Sequence, residues 1–455
     1  MPIQQSRSRT ASLWQSALDE ATAKGSAGGA VSVAGARKPK IKRPMDQDIA
    51  DNLPVIQAIE QREFKKRPLP KPRAPGPGVG ISDTVKFCSI TAFKLAEARV
   101  KAVFTRDDTE VKKLEKQLGA QFGQCDPKWS EAIESYVRNR IAAQNIPYRP
   151  YNNIGDYVIR DRLPTDGLIA LLADWGTGDD AAKNILARIA ARRPSTVIHL
   201  GDVYYSGTAH EFQNYFYAIW QQTLGLPRVK WNTKPTNPPS KPATFTLSGN
   251  HDLYAGGLPY YTTIDMLGQP ASYFCLRNDH WQFIALDTGL HDANPTKGDA
   301  ATFLEDSEVA WLKDKITTKG KRKTVLLSHH QLFTGYKEEE IEGKPINQKL
   351  LAQVKDVLPD VTVWFWGHEH NLVIFDKHAG VLGRCIGHAS FPVPTRLKMT
   401  RNRVPVKTGL TPDPNKAFFP HGYVTIQLSG ASAKVTYFLY DPETDKETEL
   451  CSENL

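Results

Sequence analysis

The 455 residues, 40% of them hydrophobic, can bury a large core, and the length points to two units or one large domain with appendages. Five cysteines, an odd number scattered at 88, 125, 275, 385 and 451, exclude a disulfide framework and point to a reducing compartment. No apolar run approaches a membrane span and Met1 to Ala21 has no apolar leader segment, so no membrane span and a cytoplasmic location are expected, with a non-classical delivery route left open.

The formal net charge of +9 resides mostly at the start, where residues 1–80 hold 14 Lys and Arg against 7 Asp and Glu. Residues 1–82 mix Ala, Gly and Ser with a basic cluster, Arg37-Lys38-Pro39-Lys40-Ile41-Lys42-Arg43, and a proline-rich tract from Arg67 to Pro77. With too few apolar side chains to offset ordering entropy, this arm is expected to be disordered. Its charge suits a solvated tail, or contact with nucleic acid or an acidic partner, although no aromatic residues interleave the cluster as stacking platforms would. Residues 83–150 carry helical periodicity at Ala92–Phe104, Asp108–Phe122 and Asp126–Ile141, which predicts a small helical add-on.

From 151 to 455 the pattern alternates strands and helices. Leu168–Leu172 reads as a buried strand ending in Asp174-Trp175-Gly176, and Asp179–Ala191 as the crossover helix behind it. Thr196–Ile198 ends in Gly201-Asp202-Val203-Tyr204-Tyr205, followed by a helix at Glu211–Thr223 and a proline-laden loop at Pro227–Pro242 long enough to overhang a site. Thr244–Leu247 ends in Gly249-Asn250-His251-Asp252, and Ser272–Leu276 with Trp281–Leu286 reads as a hairpin. Helices at Ser307–Lys319 and Gln348–Val357 precede strands ending in Ser328-His329-His330 and Gly367-His368-Glu369-His370, and a strand pair, Gly422–Gln427 and Lys434–Tyr440, closes the domain. The order predicts an α/β fold, a two-layered mixed β-sheet sandwich flanked by helices.

Five strand-like runs thus deliver Asp, Asn or His at one end, where open α/β folds put their chemistry. Hard oxygen donors and imidazoles without a thiolate cluster point to metal. Asp174, Asp202, Asn250, His329, His368 and His370 are enough for two ions sharing a carboxylate about 3.5–4 Å apart. His330 adjoins His329, and side chains of neighbours at an extended strand end point apart, so one of the two is expected to face the ions and the other to stand behind it as a donor. His199 is expected to be structural, Tyr204 to face the core, and His388 to lie where loops can meet substrate.

With these motifs in order, the chain resembles the metallophosphoesterase (calcineurin-like phosphoesterase) superfamily, and within it the purple acid phosphatase branch. That branch opens Asp-x-Gly, as Asp174 and Gly176 do, and fills the lost histidine's place with a tyrosine three residues after the bridging aspartate, where Tyr205 stands. The resemblance implies one ion held by Asp174, Asp202, Tyr205 and His370, and a second by Asp202, Asn250, His329 and His368, with iron paired with zinc, manganese or iron. It implies that His251 stabilises the transferring phosphoryl group or protonates the leaving group, with Asp252 orienting it. Members of the branch are mostly exported, so the missing leader is a departure that weighs against a ferric ion. Of the two adjacent histidines, the resemblance implies that His329 is the ligand and His330 the donor behind it. Gln331 stands where the family has proline after the histidine motif.

The implied reaction is hydrolysis of a phosphate ester by a metal-held hydroxide, with little covalent work left to side chains. A phosphomonoesterase is expected first, a phosphodiesterase or nucleotide hydrolase second. A non-catalytic binding or regulatory protein, or a delivered effector that retains the metal fold, is the alternative from another class. The serine/threonine protein phosphatase pattern does not fit, because Gly201-Asp202 is not followed by Asp-Arg-Gly.

Overall fold

A computed structural model describes residue 109 and residues 145–227, 231–233, 242–293, 301–393, 395, 399–416 and 418–455. The arm expected at 1–82, most of the helical region expected over 83–150 and most of the proline-laden 227–242 stretch expected to overhang a site lie outside the described residues.

Two mixed sheets stack face to face. One contains, in spatial order, β1 (Val158–Ile159), β5 (Phe274–Arg277), β6 (Trp281–Ala285), β7 (Lys323–Leu327), β8 (Val363–Trp366), β10 (Val381–Ile386), β9 (Leu372–His378) and β11 (Val406–Gly409). The other runs β14 (Lys446–Asn454), β13 (Ser432–Asp441), β12 (His421–Ser429), β2 (Asp166–Leu172), β3 (Thr196–His199) and β4 (Ala243–Thr246). The expected closing strand pair is a three-stranded antiparallel meander, and a β9–β10 hairpin follows the last histidine motif, unanticipated from the sequence.

Strand side chains alternate faces, so every other residue enters the space between the sheets. Ile169 and Leu171 of β2, Val325 and Leu327 of β7, and Val363 and Phe365 of β8 meet there with Val424 and Ile426 of β12. Their neighbours Ala170 and Leu172 turn outward onto helix α1 (Asp180–Ala191) and α2 (Ala218–Leu224), through Ile185, Leu186, Ile189 and Trp220. On the far side Leu326, Trp364 and Trp366 pack with Trp311 and Leu312 of α4 (Asp306–Thr317) and Leu350 and Val354 of α5 (Gln348–Val354); α3 (Leu258–Leu267) lies between these helices in sequence. The result is a four-layer α/β/β/α sandwich. Both faces of the central strands are covered, which explains their continuous apolar runs.

A buried fork joins the sheets. Arg384 of β10 donates from Nε and Nη2 to Glu453 of β14 at 2.7 Å each, and Tyr437 donates to the same carboxylate at 2.7 Å. Strands β2, β3 and β4 run parallel, as do β6, β7 and β8, so their carboxyl ends collect along one edge of the sandwich.

Candidate metal centre

Along that edge the strand ends release loops whose backbone turns against side-chain sterics. Asp174, Asp202, His368 and His370 have φ of 56°, 76°, 68° and 32°, a region non-glycine residues rarely adopt. Such conformations persist only where the surroundings over-determine them, and they gather at functional sites. The flanking glycines permit the close approach: a Cβ on Gly249 would collide with Asp202 Oδ1, and one on Gly367 with Asp174 Oδ2.

One half of the site forms around His329. Its Nδ1 lies 2.9 Å from the Leu200 carbonyl, an acceptor, so Nδ1 carries the proton and Nε2 presents a lone pair. Around Nε2 stand Asn250 Oδ1 at 3.2 Å, His368 Nδ1 at 3.2 Å and Asp202 Oδ1 at 3.4 Å. Asn250 gives its amide nitrogen to the Tyr254 hydroxyl, which turns the amide oxygen toward the histidines. The other half forms around Asp174, whose Oδ1 lies 3.2 Å from His370 Nε2 and whose Oδ2 accepts the His368 amide at 2.8 Å.

The hydroxyl that completes this half belongs to Tyr204. It donates to Asp174 Oδ1 at 2.8 Å and lies 2.9 Å from His370 Nε2, so the expectation that Tyr204 faces the core is corrected. Tyr205, which the resemblance implies as the ligand, is buried beside Tyr204 and Phe391, and its carbonyl meets a site residue, His251 Nδ1, at 2.7 Å. His251 therefore carries its proton on Nδ1, with Nε2 3.9 Å from Asp202 Oδ2.

Asp252, expected to orient His251, is engaged with the loop backbone. Its carboxylate accepts the backbone amides of Asp202 at 3.0 Å, Val203 at 2.8 Å and Gly249 at 2.6 Å, tying two loops together. Burial, and the charge of Asp202 beside it, push its carboxyl well above the usual aspartate range, while those amides oppose the shift. His330 joins His329 and His368 in one group, its Nδ1 at Thr288 Oγ1 (3.1 Å) and its Nε2 at Asp292 Oδ2 (3.0 Å). His388 is buried and packed against Gly422 instead of lying open to a substrate, and burial pushes its imidazole down to about 3. His199 lies in an aromatic box of Trp175, Phe216 and Trp220, with burial lowering it to about 3. Tyr204, Tyr254 and Asp292 escaped the sequence reading, since no spacing rule marks a side chain that reaches a site from a loop.

The donor set fits metal ions. Ligand atoms of Asp174, Asp202 and His329 lie within 4.8 Å of one another, as do those of His329, His330 and His368. Donors bound at about 2.0–2.1 Å around a near-tetrahedral ion stand roughly 3.3 Å apart, the spacing found around His329 Nε2. Two fully buried carboxylates faced by imidazoles also need positive charge, because burying an uncompensated carboxylate costs several kcal/mol.

A sandwich with oxygen and imidazole donors converging at its parallel-strand edge defines a site of the metal-binding class. Residues 167–372 match the family model described as Calcineurin-like phosphoesterase. A glycerophosphodiester phosphodiesterase, GpdQ, from Enterobacter lignolyticus is 26% identical over 186 residues, 40% of this chain. The chain spans 58% of that relative's length. Together these support a likeness to the calcineurin-like phosphoesterase (metallophosphoesterase) superfamily over less than half of the chain. Among solved structures, a dimetal phosphatase from Danio rerio is similar at a TM-score of 0.40 and 11% identity, covering 60% of this chain and 96% of that one. GAP50, the anchor in the inner membrane complex of Plasmodium, is similar at 0.41 and 14%, covering 64% and 89%. Likenesses at those scores carry no further conclusion. Among the described residues, no helix is long and apolar enough to cross a membrane.

Proposed function

We propose that the chain hydrolyses phosphate esters at a metal site that Asp174, Asp202, Asn250, His329, His368 and His370 would hold, the family resemblance implying two ions. The observation that carries this is the convergence of imidazole nitrogens, carboxylates and an amide oxygen within 3.2–3.4 Å around His329 and Asp174. Bound cations supply charge neutralisation of phosphate oxygens and acidify water.

The chain's own groups orient and hold protons. Leu200 O fixes the His329 tautomer, and Tyr254 fixes the Asn250 amide, as partners behind metal ligands commonly do. His251, with Nδ1–H given to Tyr205 O, would in its doubly protonated form donate Nε2–H, beside Asp202, to a phosphoryl or leaving-group oxygen. Tyr204, not Tyr205, is the phenol we assign to the Asp174 and His370 half.

Asp174-x-Gly176, with Tyr205 three residues after Asp202, is the resemblance that supports a phosphomonoesterase of the purple acid phosphatase-like branch, using iron with zinc, manganese or a second iron; the Tyr204 hydroxyl at Asp174 departs from it. The relationship to a glycerophosphodiester phosphodiesterase supports the second reading, a phosphodiesterase. The test is turnover of p-nitrophenyl phosphate and bis(p-nitrophenyl) phosphate by protein loaded with each metal pair, alongside metal analysis. Hydrolysis of neither ester by protein containing two ions per chain would sink the proposal. A cytoplasmic location, and a contact of the 1–82 arm with an acidic partner, stay as proposals from composition.

A further inference from the structure

We propose that Glu211, outside the metal-ligand set, is a positioning residue that sets Tyr204 and His251 through the backbone of the loop between Asp202 and Thr208. The inference rests on the hydrolytic reading above for its kinetic readout.

Backbone amides buried in a loop need acceptors, and here each one can be traced. Asp252 takes those of Asp202 and Val203. Tyr204 N donates to Gly176 O at 2.9 Å and Gly207 N to Val203 O at 3.2 Å. The remaining three go to one side chain: Glu211 accepts Tyr205 N, Ser206 N at 3.2 Å and Thr208 N at 2.8 Å, and the Thr208 hydroxyl at 2.9 Å. Glu211 is itself held by a reciprocal capping box, Thr208 Oγ1 accepting its amide at 3.3 Å, at the start of a turn, Ala209–Glu211, that leads into the π-helical segment Phe212–Tyr217.

The clamp has two exits toward the site. Tyr205, whose amide it holds, gives its carbonyl to His251 Nδ1 and so decides which ring nitrogen faces Asp202. Tyr204, one residue earlier, places its hydroxyl on Asp174 and His370. A residue that filled space alone would have no need of four donors on one carboxylate. Four bonds converging on the loop that aims two site side chains make Glu211 part of their geometry.

In the full-length, metal-loaded protein, Glu211→Gln keeps the side chain's shape but puts an amide NH2 group against backbone donors. The expected result is a kcat about tenfold lower with KM within twofold of wild type, at unchanged metal content. Tyr204→Phe combined with Glu211→Gln is expected to be slower than Tyr204→Phe alone by less than the factor Glu211→Gln costs in the wild type, because part of the Glu211 effect passes through the Tyr204 hydroxyl and the rest through His251. A kcat within twofold of wild type in Glu211→Gln, or losses that multiply in the double variant, would overturn the proposal. Should Glu211→Gln fail to fold, Thr208→Val removes one donor to the clamp, and a kcat lowered about threefold with the same non-additivity is the supporting result; multiplying losses overturn it there too. If wild-type protein hydrolyses no ester, the function fails separately from the clamp. The clamp is then read in ¹⁵N-histidine spectra: an exchange-protected His251 Nδ1–H that is lost in Glu211→Gln supports it, and one that persists refutes it.

Discussion

Asp252→Asn should destabilise the fold as well as the site. The wild-type carboxylate is fully buried and accepts three amides at 2.6, 2.8 and 3.0 Å. Hydrogen bonds to a charged group contribute about 1.5–3 kcal/mol each, and a buried donor left without acceptor costs about 1–3 kcal/mol. Asparagine keeps one oxygen. Set where Oδ2 stands, it still accepts Asp202 N and Gly249 N, now as neutral bonds, while its NH2 group faces Val203 N–H and leaves that donor unmatched. Relief of the repulsion between Asp252 and Asp202 offsets part of this, so the net loss is put at about 3 kcal/mol. For a domain of this size that lowers Tm by about 6 °C, near the lower end of the scaling for large domains. Urea unfolding of chelated wild-type and variant protein measures it free of metal linkage. A difference under about 0.5 kcal/mol would show that the carboxylate does not hold these loops.

Other outcomes follow from the same geometry. Asp202→Asn should abolish turnover and lower the content of both ions, measured by metal analysis, since the shared carboxylate loses the charge each cation needs. Tyr204→Phe should weaken metal binding more than Tyr205→Phe in a chelator-competition titration, because Tyr204 carries the hydroxyl at Asp174 and His370. Arg384→Met should cost about 3 kcal/mol in denaturant unfolding, the low end for a broken buried pair because Glu453 keeps some solvent contact. Burial alone would raise Glu453, but the Arg384 bonds and charge hold it below the usual glutamate value. Its contribution is therefore present above the unfolded glutamate pKa and is lost as pH falls through the folded one. His388, lowered by burial to about 3, acts in the same direction: its contribution is present above the unfolded histidine pKa near 6.5 and is lost as pH falls from there. Between pH 7 and pH 5 it should remove about 2 kcal/mol, a loss that His388→Gln should abolish.

The sequence by itself determined the strands whose side chains are covered on both faces. Their apolar runs need no partner to be recognised, and Thr196–Ile198, Leu168–Leu172 and Val361–Trp366 fall on observed strands within a residue or two. It also determined that Asp, Asn and His follow these runs, and parallel strands with a common direction bring such residues to one edge. Strand β14 escaped because Leu450 and Cys451 are the apolar residues in Lys446–Asn454. Pairing with β13 and the Arg384–Glu453 fork hold it as a strand, and both are long-range contacts.

The choice between Tyr204 and Tyr205 belonged to the tertiary structure alone. Adjacent tyrosines are chemically identical, and the family resemblance implied the second. Which ring turns toward Asp174 depends on the path of the loop, and Asp252, Gly176 and Glu211 set that path from elements apart in the chain. Side-chain type is a local property that a sequence states outright. The direction in which a loop residue points is set by the acceptors its backbone finds, and folding decides those.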